Sequence, residues 1–319
     1  MAVDVLLVGL GTTAGLRRVE DELAGSLRRA GLEVEIARAQ PRREPPTFPL
    51  LDLEQARAAR RAAREALTRL DPRAVLYSTT TAALLWPRPG VIHFDAPAAG
   101  NRPGRHGVWQ RALERRRFAQ APLVVSQSAG GLEEAPAHRD ALVIPVPVEP
   151  SGPANGERDV AAVAYAADVE KKGLDRVLAA WESARRDEEL VVAGVEGEPR
   201  EGVRFAGLLE PSEFRDLLRR ARIYVTAPRR EDYGLAQLEA LSDGAMLVTT
   251  EAPGPYAALP IAREADARLV GDDLAGALRT ALDDPREDYS EKARSGLVPF
   301  RRGSVDALVL QELAPRLAP

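Results

Sequence analysis

The chain has 319 residues, 45% of them hydrophobic, with no cysteine and three histidines. That length suits two ordinary domains, and the apolar content excludes global disorder. The missing cysteines exclude disulfides, thiol catalysis and cysteine zinc sites. His93, His106 and His138 lack metal-ligand spacing, so no metal site is expected. The net charge is −4, but residues 1–150 carry 21 Lys+Arg against 17 Asp+Glu, while residues 151–319 carry 23 against 31. A mildly basic first half suits an anionic acceptor or a weak association with a membrane surface. Aromatics are 5% and do not interleave with the arginines, so no nucleic-acid partner is expected. Only Lys171, Lys172 and Lys292 are lysines among the 44 basic residues.

In chain order, VDVLLVGL (3–10) reads as a buried first strand. Its apolar run is too short to span a bilayer and no later run approaches that length, so a soluble, cytoplasmic protein is expected. The helix RRVEDELAGSLRRAG follows, closed by Gly31, then the strand EVEIARA. A proline-rich loop, QPRREPPTFPL, leads into an arginine-rich helix at 53–70. AVLYST (74–79), GVIHF (90–94), PLVVSQS (122–128) and ALVIPVPV (141–148) read as strands, with the helix HGVWQRALERRRFAQ between two of them. Proline, glycine and asparagine cluster in VPVEPSGPANGERD (145–159), which reads as a linker.

The alternation then restarts. Strands are expected at 159–167, 189–194, VRFAG, RIYVTAP and AMLVTTEAPG, and helices at GLDRVLAAWESARR, 211–221, YGLAQLEALSDG, 271–283 and 287–295. A last amphipathic helix, SVDALVLQELAPRLA, closes the chain. Short apolar strands alternating with helices predict α/β architecture: two doubly wound, Rossmann-like domains facing a cleft, with ligands at the carboxyl ends of the strands. The domains are expected at 1–148 and 149–302, with the helix at about 303–319 packing back on the first.

The stretch REDYGLAQLEAL (230–241) carries the most chemistry. Gly234 opens a helix whose first N–H groups, at Gly234, Leu235 and Ala236, have no intrahelical partner and suit a phosphate. A carboxylate suits a diol instead. Glu239, about one turn into the helix, would hold one diol, and Glu231, on the loop ahead, another hydroxyl group. At ~1.5 Å rise per helical residue plus a loop, the two acids would stand on the order of 10 Å apart. That span matches a sugar–diphosphate–ribose unit. Two solvated acids on a surface helix are the plainer alternative.

The run from AYAADVEKKGLDRVLAAW through ELVVAG and VRFAG to ARIYVTAPRREDYGLAQLEALSDGAMLVTTEAPGP (about 160–257) resembles the C-terminal domain of family-four retaining glycosyltransferases, which have the GT-B fold. The resemblance implies a nucleotide-diphosphate sugar as donor substrate, no cofactor, no metal, and retaining hexosyl transfer to an acceptor it does not identify: a small molecule, glycan or lipid. It implies that Glu231 contacts the donor sugar, Glu239 holds the ribose, and Tyr233, Gly234 and Leu235 form the turn at the phosphates. It also implies that Lys172 meets the diphosphate, where a cation stabilises the leaving group. The family's second phosphate cation, an arginine at the strand end, is absent: Tyr165, Ala166 and Ala167 stand there. Lys171, Arg229 or Arg230 would have to substitute. In the first half the resemblance is weaker. There it implies that Gly11 and Gly15 line the donor-sugar side and that His93, in GVIHFDAP near Asp95, contacts the transferred sugar.

Two rivals arise. GLGTTAG (9–15) fits GxGxxA through Gly9, Gly11 and Ala14, a weak signal for an NAD(P)-dependent oxidoreductase, with Arg38 suited to a 2′-phosphate. The missing arginine also suits a catalytically impaired homologue that binds nucleotide sugar without turnover.

Overall fold

A computed structural model of the chain describes residues 3–43, 45, 47–153 and 158–318. It divides into two compact units, residues 1–147 with 302–319 and residues 148–301. Part of the linker expected at 145–159, residues 154–157, lies outside the described residues, as do residues 44 and 46 of the proline-rich loop.

The first unit holds β1 (Val5–Gly9), β2 (Val34–Arg38), β3 (Ala74–Tyr77), β4 (Val91–Phe94), β5 (Val124–Ser126) and β6 (Ala141–Val143). They form one sheet, ordered β2-β1-β3-β4-β5-β6, with every pairing parallel. Alternate strand positions sort into two cores. Leu6, Val8, Tyr77, Ile92 and Phe94 pack with Ala59 and Ala63 of the helix Phe48–Arg69 and with Phe118. Val5, Leu7, Leu76, Val91 and Val125 pack with Leu23 and Leu27 of the helix Ala14–Arg29 and with Val305, Val309 and Leu313 of the C-terminal helical run. Burial on both faces is what a parallel sheet requires.

The second unit repeats the plan with β7 (Val160–Tyr165), β8 (Leu190–Ala193), β9 (Val203–Gly207), β10 (Ala221–Thr226) and β11 (Met246–Thr249). The order is β11-β10-β7-β8-β9, again all parallel. Trp181 is fully buried on the helix Leu174–Ala184, and its indole N–H donates to Gly202 O at 2.8 Å, so the one polar atom of a large apolar anchor is satisfied.

Each sheet reverses its winding at one place, between β1 and β3 in the first unit and between β7 and β10 in the second. At such a switch point the two loops leaving the strand ends diverge and leave room for a ligand. The expected α/β architecture is present in both sheets. Three elements differ from the periodicity. The strand expected at 141–148 pairs only at Ala141–Val143, because Pro145 and Pro147 have no N–H to give. The arginine-rich helix starts at Phe48, with Pro49 in its first turn, where a missing N–H costs nothing. A helix at Ala258–Ala265 went unassigned because Pro253, Pro255 and Pro260 punctuate that stretch.

Candidate functional site

The switch point of the second unit joins two loops, 166–173 after β7 and 227–234 after β10. The sequence motifs lie on these two loops. Gly173 has φ +63°, and a Cβ there would stand 2.0 Å from Ala227 O, so the first loop rests directly on the second. Arg229 N donates to Lys171 O at 2.9 Å and closes the contact. Lys172 is thereby aimed across the loops, and its Nζ donates to Glu231 Oε2 at 2.6 Å. Gln237 Nε2 donates to the same oxygen at 2.7 Å. Glu231 is 4% exposed, and a buried carboxylate needs such partners.

Glu231 is held at its backbone as well. Its N–H donates to Pro253 O at 3.1 Å, and its carbonyl accepts from Tyr256 N at 3.3 Å. The Tyr233 carbonyl accepts from Ala257 N at 2.9 Å. Gly254, at φ +110°, lets the supporting segment approach so closely that a Cβ would come within 2.3 Å of Glu231 O. Gly234, at φ +86°, caps the helix Leu235–Ser242 and lies against the Tyr256 ring. That helix is buried from Gln237 to Ser242, not on one side as its leucines suggest. Glu239, on this helix, is 5% exposed and accepts from Arg215 Nη1 at 3.3 Å.

The place of the absent arginine is plain. Ala166 is buried and its N–H is engaged with Ala193 O at 2.9 Å. Arg229 turns to Asp175, at 2.7 and 3.0 Å, on the surface. Lys171 and Arg230 instead share Asp232, Arg230 at 2.8 Å. Burial pushes the Asp232 carboxyl up, but these two cations outweigh it and hold it below the usual carboxylate range. Lys171, Lys172 and Arg230 thus meet Glu231 and Asp232 between the two loops, which in full carry four cations and four carboxylates.

The first unit brings Gly11 and His93 to its own switch point. The Gly11 N–H donates to Glu20 Oε1 at 3.1 Å, and the Ser78 hydroxyl donates to the same oxygen at 2.9 Å. His93, 2% exposed, also meets the Ser78 backbone, and burial drives its pKa down to about 4, so it is neutral at pH 7. The Glu20 carboxylate occupies the space over Gly9, where a Cβ would lie within 2.4 to 2.6 Å of its atoms. An acid over the glycine turn repels a dinucleotide pyrophosphate, and Arg38 is taken by Glu20 and Asp21. Both points count against the oxidoreductase reading. Gly15 lies in the first turn of its helix with open space around it.

Gln237 and Arg215 escaped the sequence reading. The signal for Gln237 was a polar side chain between the leucines of this short helix; a buried amide needs a polar partner. Gln237→Leu is expected to leave the fold intact and lower kcat/KM about tenfold to hundredfold, because hydrogen bonds to charged groups contribute ~1.5–3 kcal/mol. Unchanged steady-state kinetics would remove Gln237 from the site.

Residues 157–284 match the family model Glycosyl transferases group 1. No curated protein sequence matches the chain. Among solved structures, the chain is similar to sucrose-phosphate synthase from Thermosynechococcus elongatus at TM-score 0.76 and 14% identity, covering 99% of each chain. It is similar to WaaG, a glycosyltransferase involved in lipopolysaccharide biosynthesis, at 0.72 and 16%, covering 97% of this chain and 98% of that one. It is similar to HepE of Anabaena, solved with UDP and glucose, at 0.67 and 13%, covering 98% and 100%. The fold is therefore the GT-B fold, and the segment 157–284 matches a glycosyltransferase family model. That match falls within the second unit, in agreement with the family-four resemblance.

Proposed function

We propose that the protein transfers a hexose from a nucleoside-diphosphate sugar to an acceptor hydroxyl, with retention and without a metal, in the cytoplasm. The observation that carries this reading is the Lys172–Glu231 pair, 2.6 Å apart at the switch point and beside the start of the helix Leu235–Ser242. The first N–H groups of that helix and Lys172 are suited to the diphosphate. Glu231 would accept from the sugar hydroxyls and Glu239 from the ribose diol. Gly11, Gly15 and His93 are kept as sugar-side contacts on the resemblance. The bond from the anomeric carbon to the phosphate oxygen breaks, and the acceptor oxygen bonds on the same face. A donor phosphate oxygen takes the acceptor proton, so no protein nucleophile is needed. Lys172, with Lys171 and Arg230 nearby, would offset the charge of the departing diphosphate. A likeness in fold to a structure holding UDP and glucose supports a nucleotide-sugar donor.

The test is thermal shift with UDP, GDP and ADP. At about 100 times Kd, one of them is expected to stabilise the protein by ~2.7 kcal/mol, which is roughly 5–10 °C. Glu239→Ala should lose that shift. No shift with any of the three would sink the donor site.

The acceptor class is a small molecule, glycan or lipid. Phe48 is 67% exposed, and the Arg102 guanidinium lies 5.4 Å from its ring centre. Arg102 is paired with Asp52, so it is the exposed ring on the arginine-rich helix Phe48–Arg69 that favours weak association with an anionic membrane surface. No helix among the described residues is long and apolar enough to cross a membrane. Flotation with phosphatidylserine vesicles should retain part of the protein, and Phe48→Ser should reduce it; equal recovery with neutral vesicles would remove the proposal.

A further inference from the structure

We infer that Arg215 is the positioning residue for Glu239 and thereby sets a preference for ribonucleotides over 2′-deoxyribonucleotides; this rests on the donor-site reading above. Arg215 stands on the helix Pro211–Arg220, outside every motif of the family resemblance that names a ligand contact. Its guanidinium is fixed on three sides. Nε donates to Asp243 Oδ2 at 2.6 Å, Nη2 to the Glu149 carbonyl at 2.8 Å, and Nη1 to Glu239 Oε1 at 3.3 Å. Asp243 is itself held by Ser151, whose N–H donates at 2.7 Å and whose hydroxyl lies at 3.0 Å. The two shorter bonds fix the plane of the fork, so the third nitrogen has one direction left, toward Glu239. The third bond orients the carboxylate.

The electrostatics give the same role. Glu239 and Asp243 lie four residues apart at the end of one helix, and their side chains are 7% and 0% exposed. Like charges at that spacing oppose one another. The Arg215 side chain, 11% exposed, is the guanidinium that contacts both. Without it, Asp243 keeps Ser151 and the nearby Arg158, which donates to its carbonyl at 2.7 Å, so burial and repulsion by Asp243 would favour proton uptake at Glu239. A protonated carboxyl presents one acceptor oxygen and one donor, which fits a ribose diol poorly. A lysine has one charged point and cannot span three partners in a plane.

The experiment is calorimetric titration of the full chain with whichever of UDP, GDP and ADP binds most tightly, and with its 2′-deoxy counterpart, at pH 8 and pH 6. The wild type is expected to favour the ribonucleotide about tenfold or more, since a buried acceptor left without its donor costs ~1–3 kcal/mol. In Arg215→Met that preference should fall to within about twofold, and ribonucleotide affinity should drop further at pH 6 than at pH 8. Arg215→Lys should keep the weak pH dependence and recover part of the preference. If Arg215→Met does not fold, the Arg215→Met/Asp243→Asn double variant removes one of the two buried acids; its ribose preference should still fall to within about twofold, with a weaker pH dependence than the single variant. A wild type that binds none of the three, or does not distinguish ribose from deoxyribose, would overturn the Glu239 assignment itself. A native-like Arg215 variant with the full preference and no new pH dependence would overturn only the role given to Arg215.

Discussion

Lys172→Ala is expected to lower the rate of sugar transfer by a factor of about 10²–10³, the usual cost of removing one preorganised group that meets developing charge. Two effects act together. The diphosphate loses a cation, and Glu231 loses its 2.6 Å partner while remaining 4% exposed. Breaking a buried pair by removing one member costs ~3–5 kcal/mol, because the other charge is left behind. The stability of the free protein should therefore fall as well, and kinetics should be measured where the variant is folded. Lys171→Ala is the control. Asp232 keeps Arg230 at 2.8 Å when Lys171 is gone, so a loss of no more than about tenfold is expected, in line with ~1 kcal/mol for a partly exposed pair. Equal losses from the two lysines would show that the loops respond to net charge and not to the aim of Lys172.

The same pair separates the roles of the two glutamates. On the proposed reading, Glu231, which holds Lys172 in the free protein, would compete with a phosphate for it. Glu231→Ala should therefore abolish transfer yet bind nucleoside diphosphate at least as tightly as the wild type. Glu239→Ala should lose the nucleotide. Isothermal titration with the nucleotide found by thermal shift distinguishes them, and joint loss of binding in both variants would defeat this division.

The strands, the repeated α/β plan and the two loops at the switch point could be read from the sequence because each rests on local periodicity or a glycine-marked turn. Lys172, Gly234 and Glu239 stand out for that reason. Their partners do not. Gln237 reaches Glu231 only because the Leu235–Ser242 helix is buried on nearly every side, and no count of its leucines shows that. Arg215 is 24 residues from Glu239, and one arginine among the 44 basic residues carries no mark. The fate of the missing strand-end arginine was also hidden. Lys171, Arg229 and Arg230 were equal candidates by position, but Arg229 is committed to Asp175, while Lys171 and Arg230 converge on Asp232, next to Glu231.

Gly173→Ala is expected to be the most damaging single methyl in the second unit. The residue has φ +63°, and left-handed backbone costs an alanine ~1–2 kcal/mol. The new Cβ would stand 2.0 Å from Ala227 O, which is backbone at the end of β10 and cannot rotate away. Overpacking adds ~1–3 kcal/mol. Together these predict a fall in melting temperature of roughly 5–15 °C by calorimetry of the full chain. Transfer should fall further than unfolding explains, because relieving the clash moves the turn that aims Lys172 at Glu231. Gly15→Ala provides the contrast. It lies in the first turn of a helix, and nothing lies within 4 Å of its added Cβ, so stability should hold or rise. Any activity it loses then measures the ligand alone. A Gly173→Ala protein that melts with the wild type and turns over normally would mean that the contact between the two loops does not aim the lysine.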